Sequence, residues 1–192
     1  MSQSRLRPVT RGNVDVVPYT QDRRAELLGL WLAARVESGV SPENAARSVN
    51  ESRFLDALAR SDVRAKLARI DGVTVGYVVT AENPFGLGTH PEVSIEQMWV
   101  DPRVRRHGVA RALLAAVVSQ ADQSRSEFIA TNVPVQIKDA NRFFARLGFT
   151  SVVTRRVVAT SALRRRLAPV QGFELQMLRR RRLLGAPVRR TG

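Results

Sequence analysis

The chain of 192 residues contains no cysteine. That excludes disulfides, thiolate metal sites and a cysteine nucleophile, and it fits a reducing cytoplasm. Histidine is nearly as scarce: His90 and His107 are the two present, and they stand far apart. A histidine-based metal site is therefore not expected, and no metal is predicted. No apolar run approaches the roughly 18 residues that a membrane span needs. The amino-terminal MSQSRLRPVTRGN is polar and basic and has no apolar centre, so a secretory leader is not expected. A cytoplasmic protein is the expectation. Lysine is also sparse, with Lys66 and Lys138 the two in the chain.

The cationic charge is carried by arginine instead. Net charge is +14, unevenly spread. Residues 153–192 hold eleven arginines and one acid, Glu174, whereas residues 1–152 hold 20 basic and 16 acidic side chains. The body is near balance and the carboxyl-terminal segment is strongly cationic. Arginine suits bidentate contact with phosphate or carboxylate. With 44% hydrophobic residues, the chain is long enough for one domain that buries roughly 70% of its unfolded surface. We expect a loose basic arm over 1–12, a domain over 13–178 and a solvated basic tail over 179–192.

The pattern of the domain is mixed α/β. Asn13–Thr20 reads as a strand, with Pro18 marking an edge position or its end. Gln21–Val36 reads as a helix closed by Gly39. Ser41-Pro42-Glu43 is a helix start, with a capping hydroxyl, proline at the first position and an acid in the first turn. That second helix runs towards Leu58 with a break near 50–52. Asp71-Gly72 between apolar runs predicts a hairpin. Glu127–Val133 and Thr150–Thr160 read as strands, Asp139–Leu147 as a helix closed by Gly148, the following SALRRRLAP as a basic insertion, and Phe173–Leu178 as a last strand.

One stretch organises the rest, Val93–Ala121. Alternation from Ser94 to Trp99 predicts a strand, and Asp101-Pro102 ends it. On simple alternation, Glu96 shares a face with Ser94 and Met98. A basic turn follows, and Gly108 opens a helix whose Val109, Ala110, Leu113, Leu114, Val117, Val118 and Ala121 fall on one side. A helix start exposes unpaired N–H groups and the positive end of the dipole, and glycine allows an anion close to them. Strand, arginine-rich turn and helix together read as a diphosphate-binding device.

VDPRVRRHGVARALL, Val100–Leu114, resembles the acetyl-CoA signature of the GNAT N-acetyltransferase superfamily. Its core of Arg or Gln, two residues, Gly, one residue, then Gly or Ala is met by Arg105, Gly108 and Ala110. ANRFFARLGF, Ala140–Phe149, resembles the second motif of that family. The resemblance implies a mostly antiparallel twisted sheet, splayed at its fourth and fifth strands and flanked by helices. It implies acetyl-CoA as co-substrate, with the diphosphate on the backbone of Arg106, His107, Gly108, Val109, Ala110 and Arg111, beside Arg105. It places the pantetheine arm along Met98 and Val100, near Asn141 and Phe144. It implies direct attack by a primary amine on the thioester, and it gives Glu96 two open readings: general base, or partner of an arginine across the sheet.

Two departures stand out. Phe144 occupies the position where the family often has a tyrosine that protonates the departing thiolate. Ile137 replaces an asparagine, with Asn141 displaced from it. Arg164, Arg165 and Arg166 fall where the acceptor cleft is bordered and would favour an acidic or phosphate-bearing acceptor; a solvated helix face is the other reading. The expected function is thus an acetyl-CoA-dependent N-acetyltransferase. The alternative is a GNAT-fold acyl-CoA-binding protein of weak or absent catalysis, docked on nucleic acid, ribosome or another partner through its basic segment. The sequence leaves monomer and homodimer open.

Overall fold

A computed structural model of the chain describes residues 13–50, 53–83, 90–153 and 156–168. The expected arm 1–12, the strand 173–178 and the tail 179–192 lie outside the described residues. The chain divides into two compact units, with the boundary after Lys138.

In the first unit, the Asp71-Gly72 pair turns the chain back as its sequence predicts. Both residues take positive φ, 50° and 80°, which suits the tight hairpin turn. The hairpin joins β2 (Val63–Ile70) to β3 (Val73–Asn83). β1 (Val14–Pro18) adds to one side, with Pro18 its last residue. β4 (Glu92–Val100) and β5 (Phe128–Thr131) add to the other, giving the order β1-β2-β3-β4-β5. All neighbours are antiparallel except β4 and β5, which are parallel.

Helices cover both faces. α1 (Arg24–Glu37) follows a 3-10 turn at Gln21–Arg23 and ends at Gly39, whose φ of 88° lets the last turn close. Its Leu27 and Trp31 pack with Val63, Ala65, Leu67, Tyr77 and Val79. Truncating Leu27, 1% exposed, would cost about 2–5 kcal/mol. α2 (Pro42–Asn50) starts as predicted, with the Ser41 hydroxyl accepting from the Asn44 N–H at 3.4 Å. α3 (Arg53–Leu58) follows, and its Phe54 ring stacks on Trp31.

α4 (Val109–Gln123) covers the opposite face. Its buried side is Val109, Leu113, Val117, Gln120 and Ala121. Val118, expected inward, is exposed. Gln120 takes the place of an apolar residue because polar groups of the sheet meet it there. Thr80 donates to its Oε1 at 3.1 Å, and Lys66 donates Nζ to the same oxygen at 3.2 Å and to the Ala116 carbonyl at 2.5 Å. Burial lowers the Lys66 pKa.

In the second unit, α5 (Lys138–Arg146) runs on from Lys138 and closes at Gly148, φ 92°. Phe144 is buried, with Phe143 and Phe149 packed edge-on at 5.3 and 5.1 Å between centroids. Leu147, beyond the last helical residue, is exposed. Thr150–Thr160 is not a strand in its described part: residues 150–153 and 156–159 join no ladder, and Val152, Val153, Val157 and Val158 are exposed. An apolar alternation makes a strand only where a partner edge accepts its backbone. The expected basic insertion is α6 (Thr160–Leu167), an exposed helix.

Candidate active site

The site is built around a break in the register of β4. Val79 lies opposite Gln97, and Thr80 lies opposite Ile95, so Glu96 has no partner. The extra residue is a β-bulge, which reverses the alternation beyond it. Ile95 stays on the α4 face with Thr80, and Met98 joins that face opposite Val78. Gln97 and Trp99 turn to the α1 face opposite Val79 and Tyr77, and the Tyr77 hydroxyl donates to Gln97 Oε1 at 3.3 Å. The expectation that Glu96 shares a face with both Ser94 and Met98 is therefore wrong. Ser94 and Met98 lie on opposite faces, because the bulge between them shifts the pleat by one residue.

The bulge also marks where β4 leaves β5. The parallel pairing runs from Glu92 with Phe128 to Ile95 with Thr131 and stops there. The Asp101 N–H donates to the Val75 carbonyl at 2.8 Å. In an antiparallel pair, facing residues alternately exchange both bonds or point both groups away. Asp101 and Trp99 therefore bond to β3. Met98 and Val100 turn their N–H and C=O to the edge that β5 does not pair.

Glu96 is exposed at the bulge. Among the described residues it forms no ion pair; its charge reaches Arg60, which instead binds Asp62 at 2.9 and 2.5 Å. That hydrogen bond is the main cause of the lowered Asp62 pKa.

β4 runs into the turn through Asp101. Its carboxylate accepts from the Arg103 N–H at 2.9 Å and grips the Arg103 guanidinium at 2.5 Å. The Arg103 hydrogen bond holds the Asp101 carboxyl below its ordinary pKa. Arg106 and Gly108 both take left-handed backbone, φ 68° and 86°. The Gly108 carbonyl accepts the first helical bond, from Ala112 at 3.0 Å. The N–H groups of Val109, Ala110 and Arg111 thus fall in the helix's first turn, where no intrahelical acceptor exists. Beyond Gly108 the space is open, since a Cβ there would meet nothing within 4 Å. His107 is exposed, and its Nδ1 lies 2.9 Å from the Arg105 carbonyl and 3.2 Å from that of Val104.

Close packing holds the turn against the sheet. A Cβ on Gly76 would lie 2.9 Å from the Trp99 carbonyl oxygen and 3.3 Å from a Val109 methyl. The bare glycine lets the head of α4 sit on β3 and β4.

A splayed strand pair, an open edge and a glycine turn leading into α4 form one assembly. The sequence matches the family described as acetyltransferase (GNAT) over residues 25–149, more than half of the chain. The chain belongs to the GNAT acetyltransferase family. It is 29% identical over 155 residues to the uncharacterized N-acetyltransferase YafP of Escherichia coli (strain K12), covering 78% of this chain and 90% of YafP. Two solved structures share the fold. A ribosomal-protein-alanine N-acetyltransferase from Brucella melitensis biovar Abortus 2308 superposes with a TM-score of 0.60 at 19% identity, over 77% of this chain and 99% of that one. The aminoglycoside N-acetyltransferase AAC(6')-Iy, in complex with CoA, superposes with a TM-score of 0.59 at 22% identity, over 80% and 97%.

In this GNAT chain, Glu96, Met98, Val100 and the residues from Arg105 to Arg111 all stand in the first unit, on β4, its turn and α4. Asn141, Phe144, Arg164, Arg165 and Arg166 stand in the second, on α5 and α6. The three arginines are exposed. Sequence reasoning missed Glu37, which accepts from Trp99 Nε1 at 2.6 Å and from Arg105 at 2.7 and 2.8 Å. Among the described residues no group of acids and histidines could hold a metal ion, and no helix is long and apolar enough to cross a membrane.

Proposed function

We propose that this GNAT-family chain transfers an acetyl group from acetyl-CoA to a primary amine by direct attack. The observation that carries the reading is the succession, along one strand, of the bulge at Glu96, the edge at Met98 and Val100 that β5 does not pair, and the turn from Arg105 to Arg111. The diphosphate would rest on the turn's backbone N–H groups, where the dipole of α4 favours an anion. The pantetheine amides would bond to the edge groups of Met98 and Val100. An N–H of the strand would polarise the thioester carbonyl.

The amine nitrogen attacks that carbonyl, a C–N bond forms and the C–S bond breaks. A protonated amine has no lone pair to give, so its proton must leave first. Glu96, exposed and without an ion-pair partner among the described residues, is the candidate base, directly or through water. The thiolate takes a proton from water or from the ammonium, since Phe144 offers no hydroxyl. Arg164, Arg165 and Arg166, exposed together on α6, would favour an acceptor bearing carboxylate or phosphate. The absence of cysteine supports a cytoplasmic setting. The test is free thiol release from acetyl-CoA in the presence of amine pools: release that requires an amine supports the reading, and no release in any pool refutes it.

A second reading rests on Phe144. It is buried between two aromatic rings, a packing role in place of an acid. A scaffold that binds acyl-CoA and docks on nucleic acid or ribosome through its basic segment would show tight acetyl-CoA binding without thiol release. Its RNA affinity would fall steeply with salt, and deleting 179–192 would abolish it.

A further inference from the structure

Glu37 is the last residue of α1. Its carboxylate spans two parts of the proposed acetyl-CoA site. It accepts from the indole of Trp99, on β4, at 2.6 Å, and from the guanidinium of Arg105, the first residue of the turn motif, at 2.7 and 2.8 Å. The same guanidinium donates Nε to the Val100 carbonyl at 3.1 Å. One carboxylate therefore ties the α1 face of β4, the open edge of β4 and the turn to the end of a helix. The Arg105 charge is matched by Glu37, so the arginine works as a strut between strand and turn.

We infer that Glu37 is a positioning residue that holds the edge of β4 in register with the turn, so that both halves of acetyl-CoA are engaged at once. The inference rests on the reading of this turn and edge as the acetyl-CoA site. Its physical basis is effective concentration. A ligand that grips two subsites gains from the second only if their spacing is held. A ligand that grips the turn alone is indifferent to that spacing. Removing Glu37 takes the carboxylate partner from Arg105 and from the Trp99 indole. The Arg105 bond to the Val100 carbonyl is left without its anchor on α1, so the spacing of edge and turn is held less firmly, while the backbone N–H groups that start α4 remain in place.

The experiment compares two ligands by calorimetric titration on the full chain: acetyl-CoA, and adenosine 3′-phosphate 5′-diphosphate, which carries the diphosphate without the pantetheine arm. For Glu37→Ala, acetyl-CoA affinity should fall about tenfold, the scale of losing charge-assisted hydrogen bonds. Affinity for the diphosphate fragment should stay within about twofold, as expected of a ligand that ignores the second subsite. Glu37→Gln keeps an acceptor for Trp99, removes the negative charge that faces Arg105 and should show the same split; it decides the matter should the alanine variant fail to fold. Equal weakening of both ligands, or no weakening of acetyl-CoA, overturns the inference while the wild type still binds both. A wild type that binds neither ligand overturns the reading of the site itself.

Discussion

Ile95 and Met98 lie on the same face of the sheet, opposite Thr80 and Val78, although two residues separate them along β4. Simple alternation would place them on opposite faces. The residue that reconciles the two is Glu96, left without a partner, and its position at the bulge bears directly on its proposed role.

If Glu96 removes the ammonium proton, Glu96→Gln should lower kcat/KM by about a hundredfold or more. The pH–rate profile should change with it. A variant as active as the wild type, with the same profile, would remove Glu96 from the chemistry.

Gly108 adopts φ 86° at the head of α4 with open space before it. Gly108→Ala should cost about 1 kcal/mol in folding stability, because a Cβ disfavours left-handed backbone. Acetyl-CoA affinity should fall as well if, as proposed, the diphosphate approaches where the methyl would stand. Thermal unfolding and titration measure the two effects separately.

Gly76 is a packing glycine, not a turn glycine. A Cβ there would sit 2.9 Å from a backbone oxygen of Trp99, and that oxygen cannot move without shifting β4. Gly76→Ala should destabilise the fold by about 1–3 kcal/mol. Urea unfolding that shows no loss would contradict the packing of α4 on β3.

Asp101 has its pKa lowered from 3.8, chiefly by the hydrogen bond from Arg103. A carboxyl depressed by folding contributes stability that is fully present above its unfolded pKa and lost as pH falls through its folded value. Asp101→Asn should therefore be less stable than the wild type at neutral pH; the gap should begin to narrow as pH falls past 3.8 and should close only below the lowered folded value. Urea unfolding across that pH range reads this. A gap that persists or widens in acid would contradict it.

The sequence carried local signals faithfully and long-range ones poorly. Asp71-Gly72, Gly39 and Gly148 announce their positive φ angles because few other residues tolerate them. Gly108 announces the turn for the same reason, with φ 86° at the head of α4. The bulge leaves no such mark. It depends on how β3 and β4 align, and Glu96 looks like any alternating residue. Glu37 was invisible for a related reason, since it stands 68 residues from Arg105 and nothing local distinguishes it from a solvated helix end. The Gln120 seam reads in sequence as a flaw in an apolar stripe, and only the opposite strands supply Lys66 and Thr80. Thr150–Thr160 failed in the other direction. Its valines promise a strand, yet strand formation is decided by a neighbouring edge, which a single segment cannot specify.

The most direct test is a crystal structure of the chain with acetyl-CoA. The diphosphate should lie within hydrogen-bonding distance of backbone N–H groups between Arg106 and Arg111. The pantetheine arm should run along Met98 and Val100, with the thioester near Glu96. Acetyl-CoA bound elsewhere, or bound with its diphosphate away from Gly108, would contradict the account.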